Sequence, residues 1–418
     1  MTRLLLNGLH STGTRVKADG FGPKVIDYVF PMRSTFAFLI SATIVLAADS
    51  TPTRKFTLPP PNPAGQVANP AKLIPQPEGR KLQGPQGFVV EEYASGFQKP
   101  RGILQLPGGQ VIITETVAKG GVYLVENGKR GKALVDGLDR PFGLALHKGY
   151  LYVTEAEAIK RFPLNVKTVT LGAGQVIVAL KGYTKGHTTR SLAFQGNKLY
   201  VSVGSGSNVD TGDPADRAAI NVYNPDGSGH EILATGLRNP VCIRFQPQSK
   251  KLWATVQERD GLGDDLAPDF FTSIAKGAFY GWPYAYIGPN EEPRHAGKNP
   301  DAVKKSVEPD MILGAHVSVM DFAFYTGRQF PEKYRNGAFM AYRGSSGKSK
   351  RVGYSIMFVP FKNGKPTGQP EPFVTGWMLG EDVKEVWGRP VGVAQLADGS
   401  LLVSEDGNNK IFRVSYKP

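Results

Sequence analysis

The chain has 418 residues, is 40% hydrophobic and carries 50 Gly and 32 Pro, a composition that favours a globular, turn-rich β protein with a large core. Its formal charge is +14, yet no basic run exceeds Lys348–Arg351 and no helix-turn-helix, finger or RNA-binding signature is present, so an anionic ligand rather than nucleic acid is the expected partner. The single cysteine, Cys242, excludes an intramolecular disulfide, a cysteine-based zinc cluster and a CxxCH haem attachment.

In chain order, Met32-Arg33-Ser34-Thr35 leads into an apolar run from Phe36 to Leu46 followed by Ala47 and Ala48. A short basic start, an apolar stretch too short for a comfortable membrane span and small residues after it read as a signal peptide over about 32–48. Met32 is then the expected true start, with residues 1–31 an upstream extension; N-terminal sequencing of the mature protein tests this, a retained anchor being the alternative outcome. The expected location is periplasmic or secreted, with no stable membrane insertion after the signal is removed. Residues 49–86 are rich in Pro, Gln and Asn and read as an extended tether or a surface strap, with no function assigned.

From about Gly87 a unit recurs: a small turn, a polar pair, often Pro, an apolar strand, a Gly or Asn turn, and a second apolar strand ending in polar residues. The copies are Ser95 to Glu115, Asp136 to Glu155, Lys185 to Ser205, Thr235 to Glu258, a looser Met320 to Arg343, and Val386 to Asp406. Further strands are expected at Gly121 to Val125, Ile159 to Phe162, Ile220 to Tyr223, Tyr354 to Phe361 and Lys410 to Val414. Six such units over 87–418 spell an all-β, six-bladed β-propeller of four-stranded antiparallel blades. Helical periodicity is nearly absent, with one short helix expected over Pro268–Lys276.

Blades are related by rotation, so equivalent repeat positions form a ring at one end of the central channel. One position holds Gln98, Asp139, His187, Arg238 and Gly388; the next holds Lys99, Arg140, Thr188, Asn239 and Arg389. Cations outnumber carboxylates in that ring, which suits a planar anionic ligand held by guanidinium forks. His187 is the candidate general base; the alternative is that these pairs cap turns and satisfy backbone groups. Residues Gln257–Leu266 place acidic side chains around two glycines, either a Ca²⁺ loop or a solvated turn, without the EF-hand ladder. The aromatic run Phe279–Tyr286 either walls a pocket or packs a loop over the propeller face.

The motifs GHTTRSLAF, GLRNP, QERDGLGDDLAPDF, GAFYGWPY, DFAFYTGRQFPEKY and GRPVGVAQLADGSLLVSEDGNNKIFRV together resemble the glucose/sorbosone dehydrogenase family, soluble quinoproteins that use pyrroloquinoline quinone (PQQ). The resemblance spans Gly87 to the C-terminus and implies an exported propeller with PQQ on the blade face supported by Ca²⁺. It implies His187 as the base taking the sugar hydroxyl proton, and Arg238 with Asn239 as the pair contacting the quinone. It further implies Gln257, Arg389 and Arg190 as cofactor contacts, and the backbone carbonyls of Glu258 and Arg259 as Ca²⁺ ligands. Two departures stand out: Ser205 replaces an Asp that orients the histidine in glucose-type members, and Tyr342-Arg343-Gly344-Ser345-Ser346-Gly347 replaces His-Gly-Ser-Trp-Asn-Arg of sorbosone-type members. Arg343, Lys348 and Lys350 are the candidates for the cofactor cation lost there. The expected activity is PQQ-dependent oxidation of an aldose or related aldehyde, with electrons passed to a separate cytochrome or quinone acceptor. The rivals are a non-redox propeller binding carbohydrate or protein, and a Ca²⁺-dependent lactonase on the same fold.

Overall fold

The structure is a computed structural model that describes residues 55–418; the expected signal peptide lies outside them. Short runs of β-branched and apolar residues, such as Val111–Glu115 and Leu401–Glu405, are buried on both faces and are separated by tight turns. In the turn between the paired residues His147 and Tyr150, Lys148 and Gly149 both have positive φ, 45° and 79°. That is the geometry whose twist matches antiparallel strands.

Six antiparallel sheets of four or five strands form the blades, beside three two-stranded pairings. Blade one is Pro100–Gln105, Val111–Glu115, Gly120–Glu126 and Lys129–Leu138. Blade two is Leu144–His147, Tyr150–Thr154, Ala158–Asn165 and Gln175–Ala179, with Thr170–Leu171 on the same outer edge. Blade three is Leu192–Gln195, Lys198–Val203, Ala219–Tyr223 and Glu231–Ala234. Blade four is Asn239–Phe245, Leu252–Gln257, Pro268–Ser273 and Met311–Ala315, and blade five Val319–Phe324, Ala338–Tyr342, Ser355–Val359 and Glu371–Val374. Blade six is Pro390–Gln395, Leu401–Glu405 and Lys410–Tyr416, completed by Phe88–Ala94 from the other end of the chain. The first strand of each blade touches the first strand of the next, and the ring closes from blade six to blade one. The segment expected as a helix, Pro268–Lys276, is instead a blade strand: its Phe270 and Phe271 fill the core on both sides of the sheet, and burial on two faces favours an extended run over a one-sided helix. The α-helix among the described residues is Pro300–Lys305.

Six apolar clusters occupy the six joints between adjacent blades, for example Ile112, Val122, Leu151 and Phe162 between blades one and two and Trp377, Trp387, Phe339 and Phe412 between five and six. Each fully buried side chain of this kind contributes about 1.5–3 kcal/mol relative to exposure. A seventh, Phe142, Val241, Met320 and Val391, comes from the first strands of blades four, five and six and from the residue two before blade two's first strand, and packs toward the axis. Hydroxyls on second strands stitch the ring: Thr114 donates to Phe142 O at 3.1 Å, Thr154 to Arg190 O at 2.6 Å and Ser404 to Arg101 O at 2.7 Å. These approaches need glycine on the first strands. A Cβ at Gly102 would stand 2.2 Å from Phe142 O, and one at Gly392 2.2 Å from Arg101 O. Gly102→Ala is therefore expected to lower stability by about 1–3 kcal/mol, the ordinary cost of overpacking a core, measured as a shift in the urea midpoint at unchanged slope.

The strap crosses blades four to six. Phe56 and Leu58 pack on the joint between blades three and four, and Asn62 N donates to Leu262 O at 2.7 Å. Lys72–Leu73 pairs in parallel with Glu385–Val386, and Gln83 bridges Thr375.

Candidate active site

On the face where the first strands begin, a polar cavity of about 140 Å³ is lined by His187, Arg238, Gln257, Glu258, Asp260, Asp269, His316 and Ser318, with Gly344, Ser346 and Gly347 at its edge. The repeat positions thus bring His187 and Arg238 together. Elsewhere in the ring polar groups are spent on each other: Arg140 is bidentate on Asp139 at 2.9 and 2.8 Å, and Gln98 N is held by Glu115.

His187 Nδ1 lies 3.1 Å from Ser205 O and 3.0 Å from Ser205 Oγ. A carbonyl oxygen only accepts, and Ser205 Oγ itself donates to Ser207 O at 2.7 Å. Both facts place the proton on Nδ1 and leave Nε2 a bare acceptor. Burial, then the Arg238 charge, depresses the imidazolium to a pKa of about 3. The ring is consequently neutral through the physiological range, the state a base requires. The Ser205 backbone fixes this tautomer without an Asp at that position. Gly204 has to be glycine, because a Cβ there would meet His187 Cβ and Asn239 Oδ1, each at 2.6 Å.

Arg238 is buried and fixed by Asn208. Its Nε donates to Asn208 O at 3.0 Å and its Nη2 to Asn208 Oδ1 at 2.8 Å, while Nη1 donates to Glu258 O at 2.7 Å and Gln257 O at 3.3 Å. Four of the five guanidinium donors are thereby used. Asn208 also binds Asp260 through both its amide and its carbonyl oxygen, at 2.8 and 3.0 Å, and accepts from Trp282 Nε1 at 3.0 Å. Sequence reasoning passed over Asn208, which sits in a Gly-Ser loop outside the repeat. The aromatic run lies behind it: Tyr280, Trp282 and Tyr286 are buried in the blade-four excursion, and Trp282 props Asn208 instead of walling the cavity. Asn208→Ala removes the acceptor of Arg238 Nη2 and both side-chain bonds to Asp260 and is expected to lower kcat/KM by about 10²-fold by loosening Arg238, comparable to losing one oriented charge-stabilising donor, measured by steady-state kinetics, together with a lower melting temperature because buried groups lose partners.

Blade four supplies an acidic wall. Asp269 accepts from Glu258 N and Val319 N, both at 3.1 Å, and burial raises its pKa to about 6. Glu258 is pushed up to about 7 by burial, against the pull of Arg238, and its Oε1 is buried without a partner. Opposite stands a second histidine: His316 Nε2 faces Gly263 O at 2.9 Å and Nδ1 faces Asp260 at 3.2 Å. Burial opposes its charged form, but those two acceptors outweigh burial and raise its pKa. Neither Asp269 nor His316 occupies an aligned repeat position, and no sequence signal marked them.

Beyond the cavity edge, one buried carboxylate gathers three guanidinium groups. Asp406 is 3.0 Å from Arg101 Nη2 and 3.1 Å from Arg343 Nε and from Arg389 Nε. Burial works against its charge, but the three cations hold it below the usual carboxylate range. Three cations on one anion leave an excess of positive charge. Arg101 was not foreseen, though a signal existed: it follows Pro100 at the position that carries Phe142, Val241 and Val391 in other blades.

Of the remaining sequence candidates, Asn239 donates to Gln257 Oε1 at 2.9 Å and keeps a buried, unpartnered Oδ1. Gln257 Nε2 is shared among Ser318 Oγ, Val319 O and Met320 Sδ. Glu258 O takes the Arg238 bond, and the Arg259 side chain pairs with buried Glu292 at 3.2 Å. Arg190 is not at the cavity: wholly buried, it donates to His187 O, Thr189 O and Tyr183 O and stabilises the loop that carries His187. Lys350 is solvent-exposed away from the cavity lining. Lys348 is committed to Asp264 O and Asp265 at 2.8 and 2.7 Å, so Arg343 is the candidate cation of that loop that reaches the arginine cluster.

A family model described as TrAA12-like matches residues 82–267 and 290–417. An uncharacterized protein of Borreliella burgdorferi is 30% identical over 361 residues, 80% of this chain and 91% of its own length. Among solved structures, the iodide structure of the Trichoderma reesei Carbohydrate-Active Enzymes Family AA12 protein superposes with a TM-score of 0.68 at 21% identity, over 82% of this chain and all of that one. The holo form of the pyranose dehydrogenase PQQ domain from Coprinopsis cinerea gives 0.69 at 20% identity, over 82% and 98%. The apo form of the soluble aldose sugar dehydrogenase from Escherichia coli gives 0.61 at 18%, over 79% and 99%. All three share the propeller, and the matched segments include His187, Arg238, Gln257, Arg343 and Asp406. With three quarters of its length inside the family model, the chain belongs to the TrAA12-like family.

Proposed function

We propose that the protein is a PQQ-dependent dehydrogenase that oxidises an aldose or a related sugar aldehyde. The observation that carries this reading is the pairing, in one cavity, of a histidine with a bare Nε2 and a buried guanidinium. The AA12 family membership and the fold shared with pyranose and aldose sugar dehydrogenases support it.

The residues present fit the cofactor's chemistry, that of a planar tricarboxylate with vicinal carbonyls. The surplus cations Arg101, Arg343 and Arg389 match carboxylates. The unpartnered Asn239 Oδ1 and Arg101 Nε are buried polar atoms that lack a protein partner, and such groups cost stability when left unpaired. Arg238, Asn239, Gln257, Arg343 and Arg389 would hold the group, with the carbonyls of Glu258 and Arg259 offering oxygen to Ca²⁺ beside the acidic wall. When bound, PQQ supplies a quinone that accepts hydride from the sugar carbon.

The chain's own contribution is proton handling and charge. His187 Nε2 accepts the hydroxyl proton of the sugar, and the Ser205 carbonyl stabilises the imidazolium that forms through Nδ1–H. Arg238, held by Asn208, presents fixed positive charge where oxygen becomes anionic, without reorganisation. Electrons leave to a separate acceptor, and the expected location is periplasmic or secreted. Among the described residues no helix is long and apolar enough to cross a membrane.

The test is reconstitution. The apo-protein is titrated with PQQ and Ca²⁺ while the cofactor absorbance is followed, then offered a panel of aldoses and aldehydes with a redox dye. Saturable binding with sugar-dependent dye reduction is the expected result. A failure of PQQ to bind would remove the cofactor and leave a non-redox sugar- or protein-binding propeller.

A further inference from the structure

Strap residues 55–81 lie outside the matched family segments, which begin at residue 82, yet they contact two loops that line the cavity. Two loops border the cavity on one side: residues 260–265 after blade four's second strand, and residues 344–353 after blade five's. Gln66 on the strap spans them. Its Oε1 accepts from Gly261 N and, at 3.5 Å, from Gly263 N, and its Nε2 packs so closely on Gly347 that a Cβ there would lie 2.9 Å away, with Asp260 Oδ1 at 3.9 Å. Asp260 and Gly347 both line the cavity.

Neighbouring strap residues lock the same arrangement. Asn62 N donates to Leu262 O and Asn69 N to Ser346 O, at 2.7 and 2.8 Å. Asn69 Nδ2 donates to Lys348 O and Ser349 O, and Asn69 Oδ1 accepts from fully buried Arg351 at 3.0 Å. The two loops also hold each other directly, through Lys348 on Asp265 and Ser349 on Asp264. Three strap residues thus tie both loops, which carry Asp260, Gly344, Ser346 and Gly347 of the cavity lining.

We infer that the strap is a fixed wall of the substrate site and that Gln66 is a specificity-determining residue, restricting the site to a small sugar or the terminal unit of a chain. The inference rests on the dehydrogenase reading above. A wall on that side turns a cleft between blades into a blind pocket. A polymer threading through a cleft meets no such barrier, whereas in a blind pocket the sugar can enter only end-on.

The experiment compares the wild-type holoenzyme with Gln66→Ala on glucose and maltotriose, with hydrogen–deuterium exchange of residues 260–265 and 344–350 as a readout independent of turnover. Asn69→Ala, which releases the blade-five loop alone, is the second variant should Gln66→Ala fold poorly. The expected result is faster exchange in both loops and a maltotriose-to-glucose kcat/KM ratio that rises on the order of tenfold. Unchanged exchange would overturn the wall. Faster exchange with an unchanged ratio would overturn the specificity role and leave the dehydrogenase reading intact. A wild type that binds no PQQ and oxidises no sugar would instead remove the reading on which both depend.

Discussion

His187→Ala is expected to lower kcat/KM by about 10²–10⁴-fold, the range supplied by a positioned general base, while PQQ affinity in an absorbance titration stays near wild type. The cause is confined to one atom: Nε2 is the unprotonated ring nitrogen and no other described histidine offers a bare nitrogen to the cavity, His316 having both nitrogens engaged. The same geometry fixes the pH profile. Burial and the Arg238 charge hold the conjugate acid near 3, so the base form is present above that pH and is lost only as pH falls through it. His187 should therefore contribute no acid limb near 6.5, the ordinary value for histidine; a limb between about 6 and 7 that Glu258→Gln or Asp269→Asn removes belongs to the acidic wall. Ser205→Asp, which sets a carboxylate beside Nδ1, favours the imidazolium and should move that limb upward. A wild-type limb near 6.5 that moves with Ser205→Asp would show that His187 titrates there and overturn the depressed pKa.

Asp406→Ala should cost about 3–5 kcal/mol of folding stability, the penalty for removing one partner of a buried ionic cluster. Here a single carboxylate, 1% exposed, faces Arg101, Arg343 and Arg389, so its loss leaves three guanidinium groups repelling one another with no anion between them. Urea unfolding measures the loss. A polycarboxylate such as citrate, which supplies the missing charge, should raise the midpoint of the variant more than that of the wild type. Equal midpoints for variant and wild type without added anion would show that water screens the cluster.

The propeller was legible because its register is written in residue chemistry. Pro before the first strand, Gly or a small residue inside it and Thr or Ser near the end of the second recur, and the structure uses them for blade-to-blade contact. His187 and Arg238 were legible for the same reason, since aligned positions converge on one axis. What the repeat does not encode is where a long side chain turns. Arg190 stands at an equivalent position to Phe142 and Val241 but folds back onto three carbonyls of its own loop. Asn208, Asp269 and His316 entered the site from a loop, an outer strand and a linker between blades, where no periodicity reports proximity. Asp269 lay in a stretch read as helix; its burial between two sheet layers has no counterpart in local propensity.

The pairing of Phe88–Ala94 with Lys410–Tyr416 has a consequence for biosynthesis. The chain emerges N-terminus first, so Phe88–Ala94 waits for a partner translated only after the other five blades. Until then blade six lacks its outer strand, the first and last blades keep open sheet edges, and such edges recruit other chains. Closure must follow translation of Lys410–Tyr416. A truncation that removes only the final strand would therefore deprive the protein of the joint on which every other blade depends.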